Sequence, residues 1–126
     1  MKIKLVDKTF SHCEVSSNPL PIINKAKYIE WVREDSKTDL VVYTDSEIQN
    51  HISNESIAWL IEPEEIQSLG HDYIRENYNK FKEIWTYDKR LLESISNAKF
   101  YPFGGCWVGL TDRKIHSKTK LFSEKN

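Results

Sequence analysis

Three carboxylates stand where a short apolar segment gives way to polar chain. Asp45 follows Asp39-Leu40-Val41-Val42-Tyr43-Thr44, Glu62 follows Ser56-Ile57-Ala58-Trp59-Leu60-Ile61, and Asp88 follows Glu83-Ile84-Trp85-Thr86-Tyr87. If these segments are strands of one parallel sheet, the acids collect at its carboxyl edge, which is where open α/β sheets bind ligands. Glu62 is the strongest candidate, because Pro63 behind it has no N–H to offer its side chain. A carboxylate at the mouth of a sheet, partly desolvated by Trp59, acts as a general base once its pKa rises. Asp45 and Asp88 have a competing reading, since each precedes a helical segment and is a good N-cap.

A second candidate element is Phe103-Gly104-Gly105-Cys106-Trp107. Gly104 and Gly105 let backbone approach a ligand, and Trp107 offers a flat face of the kind that stacks on sugars and bases; the alternative is a plain glycine turn beside a partly buried Trp. The chain contains no GxGxxG, GxxxxGK[ST] or GxSxG motif, which disfavours dinucleotide sites, P-loop nucleotide sites and a serine-hydrolase elbow. His12, His51, His71 and His116 make no HxH or HxxxH spacing, and Cys13 and Cys106 form no CxxC. No metal, cofactor or disulfide framework is expected from these spacings.

These residues need elements to hold them. Residues 2–7, 39–44, 56–62 and 83–87 read as strands, and 99–103 as a fifth, from their β-forming apolar runs. Near-continuous apolar strands favour a parallel sheet covered on both faces. Between them lie helical patterns. Ile22, Ala26, Ile29 and Val32 predict a helix over 22–33, with Trp31 beside the stripe. Thr44-Asp45-Ser46-Glu47 matches a capping box opening a short helix over 47–52. Residues 64–69 predict a turn or two of helix stopped by Gly70 in the left-handed region, 71–81 a further helix, and Asp88 the cap of a helix carrying Leu91, Leu92 and Ile95. The alternation predicts a single three-layer, Rossmann-like α/β domain over residues 1–112, with a mostly parallel sheet of about five strands.

Composition agrees with one such core: 126 residues, 39% hydrophobic and 29% charged. Eighteen Lys and Arg against nineteen Asp and Glu leave a formal charge of -1, so no general field attracts nucleic acid. No apolar run is long enough to span a bilayer and the start lacks a signal peptide's apolar centre, so no membrane partner and a cytoplasmic location are expected. Residues 113–126 form a basic tail: Arg113, Lys114, Lys118, Lys120 and Lys125 face the single acid Glu124. Such a tail meets phosphate or is solvated.

The stretch Ile57-Ala58-Trp59-Leu60-Ile61-Glu62-Pro63, then Phe81-Lys82-Glu83-Ile84-Trp85-Thr86-Tyr87-Asp88, then Phe100-Tyr101-Pro102-Phe103-Gly104-Gly105 resembles the amino-terminal, acceptor-side domain of fucosyltransferase-like glycosyltransferases. The resemblance spans residues 56–107 and rests on order and spacing. It implies half of a GT-B architecture, with Glu62 as the general base that takes the proton of an acceptor hydroxyl, and a carbohydrate acceptor at the carboxyl edge of the sheet. The family's nucleotide-sugar domain has no counterpart in residues 1–126, so transfer by this chain alone is not expected, and a partner chain supplying that domain is one arrangement the resemblance allows. Two other readings stay open. One is a small α/β protein-interaction module without catalytic activity, in which Glu62, Asp88 and Trp107 are structural. The other is a flavodoxin-like or phosphoacceptor domain, favoured by Asp45 and opposed by the lack of an acidic pair after the first strand and of a flavin phosphate loop.

Overall fold

The computed structural model describes residues 1–8 and 28–102. Six strands form one sheet: β1 Lys2–Val6, β2 Glu30–Val32, β3 Leu40–Thr44, β4 Ile57–Trp59, β5 Glu83–Thr86 and β6 Ala98–Phe100. Every pairing is parallel and the order is β2-β1-β3-β4-β5-β6. The chain first steps from β1 to one side, then crosses to β3 on the other and continues outward. The order reverses between β1 and β3, as in doubly wound folds of flavodoxin-like order. The five strands expected from the sequence are all present.

The alternation of side chains splits the core into two clusters. Tyr43, Ala58 and Ile84 point to one face, where Ile48, Ile74, Phe81, Leu91 and Ile95 pack on them. The helices α1 Ser68–Asn77 and α2 Lys89–Ser94, and the 3-10 turns at Asp45–Asn50 and Tyr78–Lys80, supply that layer. Ile3, Leu5, Trp31, Val42, Ile57, Trp59 and Ile61 point to the other face and are buried too. There Trp59 stands edge-on to Trp85 and to Tyr101, and Trp85 stacks on Tyr101 with ring centroids 5.0 Å apart. All three residues of β4 are buried, the central-strand pattern that a run such as Ile-Ala-Trp satisfies and an alternating sequence does not.

Several expectations are corrected. Ile29, Trp31 and Val32 do not continue a helix: Glu30–Val32 is the edge strand β2, whose register pairs Ile3 with Trp31. Three residues carry too little periodicity to separate the two, and pairing with β1 decides it. The remainder of the expected helix, residues 22–27, lies outside the described residues. The segment after β3 is a 3-10 turn in place of an α-helix, and Thr44 makes no side-chain cap bond; its hydroxyl reaches the Val6 carbonyl at 3.5 Å. Asp88 does cap α2, accepting from the Arg90 N–H at 2.9 Å.

Gly70 is the largest correction. It does not end a helix; it lies inside α1, buried, with no positive φ. Its lack of a side chain lets α1 press against the turn after β3: a Cβ at this position would stand 2.6 Å from the Asp45 carbonyl oxygen and 3.1 Å from Leu60 Cδ2. Backbone on backbone cannot yield as a side chain does. Helix propensity alone makes Gly70→Ala stabilising by about 1 kcal/mol. The contact reverses the sign, and we expect a loss of about 1–3 kcal/mol, read as a lower urea midpoint with an unchanged slope. A raised midpoint would show that α1 does not rest on Asp45.

Candidate functional site

The register makes the strand exits level. Thr44 pairs with Trp59 and Trp59 with Trp85, so Asp45, the segment 60–62 and Asp88 leave the sheet side by side at its carboxyl edge. Asp45 is the innermost. Its backbone adopts φ 46, in the left-handed region that Asp tolerates better than most residues, and it is 1% exposed. Its carboxylate does not cap the turn it opens. Oδ1 accepts from the N–H groups of Ile61 at 2.9 Å and Glu62 at 3.1 Å, joining the exit of β3 to that of β4. Oδ2 is buried without a hydrogen-bond partner.

Glu62 is fixed through its backbone on both sides. Its N–H donates to Asp45, and its carbonyl accepts from His71 Nε2 at 3.0 Å. His71 follows Gly70 on α1 and is 2% exposed, so the close approach permitted by Gly70 is what brings the imidazole to the sheet. The Glu62 side chain is half-buried, and among the described residues its carboxylate enters no hydrogen bond or ion pair. Asp88 lies on the far side of His71, with Oδ2 3.9 Å from Nδ1. Asp45, Glu62, His71 and Asp88 therefore form a continuous row across three strand exits.

An outer ring of charge borders that row. Glu64 accepts from Arg75 at 2.6 Å and from Arg90 at 2.8 Å, and Arg90 also binds Asp88 at 2.9 Å. Hydrogen bonds from Arg75 hold the Glu64 carboxyl below its ordinary range, and Arg90 does the same for Asp88. Asp45 goes the other way: burial pushes it up to about 6, against the pull of its two backbone donors. Tyr87 is raised as well, first by burial and then by the carboxylates of Glu62, Asp45, Glu65 and Asp88, which marks this edge as a negative field around a phenol.

The three acids singled out from sequence are thus brought together. Gly104, Gly105 and Trp107, and the basic segment 113–126, lie outside the described residues. His71, Glu64, Arg75 and Arg90 escaped sequence reasoning, because the contacts that join them across the edge, His71 to Glu62 and Arg90 to Glu64, span 9 and 26 residues and no local spacing announces them. The signal the sequence carries is Gly70 next to His71, since a glycine inside a helix marks a close approach. Among the described residues no helix is long and apolar enough to cross a membrane. Comparison with family models, curated proteins and solved structures finds no match to this chain.

The displaced acid predicts a pH dependence. A carboxyl at 3.8 when unfolded and about 6 when folded binds its proton more tightly in the native state, so its contribution is full below about pH 4 and lost as pH rises through 6. The displacement corresponds to about 3 kcal/mol. Asp45→Asn keeps the Oδ1 acceptor and a side chain that tolerates positive φ, and removes the charge. Denaturant titrations from pH 4 to 7.5 should show the variant gaining on the parent as pH rises. Parallel curves for the two proteins would mean that Asp45 titrates normally.

Proposed function

We propose that this domain binds carbohydrate at the carboxyl edge of its sheet, as the acceptor-side half of a fucosyltransferase-like glycosyltransferase does, with Glu62 as the group that contacts an acceptor hydroxyl. The observation that carries the reading is the way Glu62 is held. Its backbone is pinned by Asp45 and His71, while its half-buried side chain carries a carboxylate without a partner in the described residues. A side chain needed for the fold is normally satisfied by the fold; one presented on a rigid mount is placed for something that arrives later. Tyr87, in the same field of carboxylates, adds a ring and a hydroxyl, the mixed aromatic and polar surface that a sugar requires.

In a transfer reaction Glu62 would take the proton of the acceptor hydroxyl as that oxygen attacks the anomeric carbon of a nucleotide sugar held by a second domain, while the bond from that carbon to the nucleotide phosphate breaks and the nucleotide leaves with the electron pair. A carboxylate with no partner of its own among the described residues at this edge is free to accept the proton that an arriving hydroxyl releases.

The test is Glu62→Gln, which conserves shape and removes the charge. With no partner lost, the melting temperature should stay within a few degrees of the parent. Binding of saccharides identified for the parent on a glycan array should weaken by roughly ten-fold or more, the value of about 1.4 kcal/mol or more expected for a charge-assisted hydrogen bond. A parent that binds no saccharide, or a variant that binds equally well, overturns the assignment.

A further inference from the structure

The row described above contains a nitrogen that the fold leaves unsatisfied. His71 is 2% exposed, its Nε2 donates to the Glu62 carbonyl, and its Nδ1 is buried without a hydrogen-bond partner. With Nε2 donating to the carbonyl, Nδ1 is the ring nitrogen left for another partner, and Asp88 Oδ2 lies 3.9 Å from it. That separation is too long for a hydrogen bond and a few tenths of an ångström wider than the roughly 3.3–3.6 Å between ligand atoms of a tetrahedral site with bonds of about 2.0–2.2 Å, a gap that a small side-chain rotation closes. Glu64 completes the group: one ligand atom from each of Glu64, His71 and Asp88 lies within 4.8 Å of the others.

We propose that Glu64, His71 and Asp88 bind one divalent transition-metal ion of the zinc type, through a carboxylate oxygen, the imidazole Nδ1 and a second carboxylate oxygen, leaving a fourth position for water or a ligand oxygen. One nitrogen and two oxygens in an open three-residue set suit zinc or cobalt better than calcium or magnesium, which prefer oxygen alone. The bond from Nε2 to the Glu62 carbonyl is the outer-shell contact that fixes ring and tautomer in metal-ligating histidines. It is an observation independent of the carboxylates, because it orients Nδ1 whether or not the acids are near.

Arg75 and Arg90 occupy the same carboxylates, and the proposal requires an exchange of counterions. Arg90 is 68% exposed, so its guanidinium can swing into water when an ion takes its place. This inference does not depend on the carbohydrate reading of Glu62.

The test uses the untagged full chain, stripped of metal with chelator. Zinc should raise the melting temperature by roughly 5–15 °C at a hundred-fold excess over its dissociation constant, and cobalt should give the visible absorption of a four-coordinate site at one equivalent. The Glu64→Gln/Asp88→Asn double variant should weaken both ions by at least roughly ten-fold. Arg90→Ala, which removes a competitor and keeps every ligand, should tighten them, and this arm still decides the matter if the double variant does not fold. No thermal or spectral response to either ion at millimolar concentration overturns the proposal. So does binding that is unmoved by Arg90→Ala, which would place the ion on other histidines or cysteines of the chain.

Discussion

One carboxylate oxygen ties together two strand exits. Asp45 Oδ1 accepts from consecutive backbone N–H groups, those of Ile61 and Glu62, just past the end of β4 where the ladder can no longer satisfy them. Without it the buried Ile61 donor would be unpaired, at a cost of about 1–3 kcal/mol, and the half-buried Glu62 donor would lose its partner too. The bond also fixes the path of residues 60–62, and hence the position of the Glu62 carboxylate and carbonyl. His71 reaches that carbonyl, and through His71 the arrangement extends to Asp88 on the next strand exit. The edge is a chain of dependencies that starts at β3 and runs outward along the sheet.

The arrangement strains its first member. Asp45 takes a positive φ, keeps one oxygen buried and unpaired, and has its carboxyl pushed up to about 6. Such strain persists only where the surroundings over-determine it. Two contacts do so: the pair of donors from 61 and 62 on the carboxylate, and the backbone of Gly70 against the carbonyl. The second explains why α1 carries a glycine in its interior, where helix propensity opposes it. A residue with a side chain there would move α1 off the sheet and take His71 with it.

The outer charges are of a different kind. Arg75, Glu64, Arg90 and Asp88 form a connected set of short ion pairs, but Arg90 and much of Arg75 face water, where such pairs contribute little and exchange partners readily. The inner row is rigid and the outer ring is adaptable.

The sequence by itself determined the architecture. Apolar runs such as Val41-Val42-Tyr43 and Ile57-Ala58-Trp59 can be satisfied only as strands covered on both faces, and the polar residues that close them mark the exits, so the parallel sheet and the collection of Asp45, Glu62 and Asp88 at one edge were legible from local pattern. The cap of α2 by Asp88 was legible for the same reason, since its donor lies two residues away. What tertiary structure alone decided involves partners far along the chain. Thr44-Asp45 and Thr86-Tyr87-Asp88 end two strands in similar words, yet Asp88 caps the helix that follows it while Asp45 turns away to serve residues 16 and 17 positions on. The strand at Glu30–Val32 exists because β1 pairs with it, and Gly70 serves a close approach because Asp45 lies beneath it. In each case the residue's local preference was compatible with more than one outcome, and a backbone group brought from a distant segment selected between them.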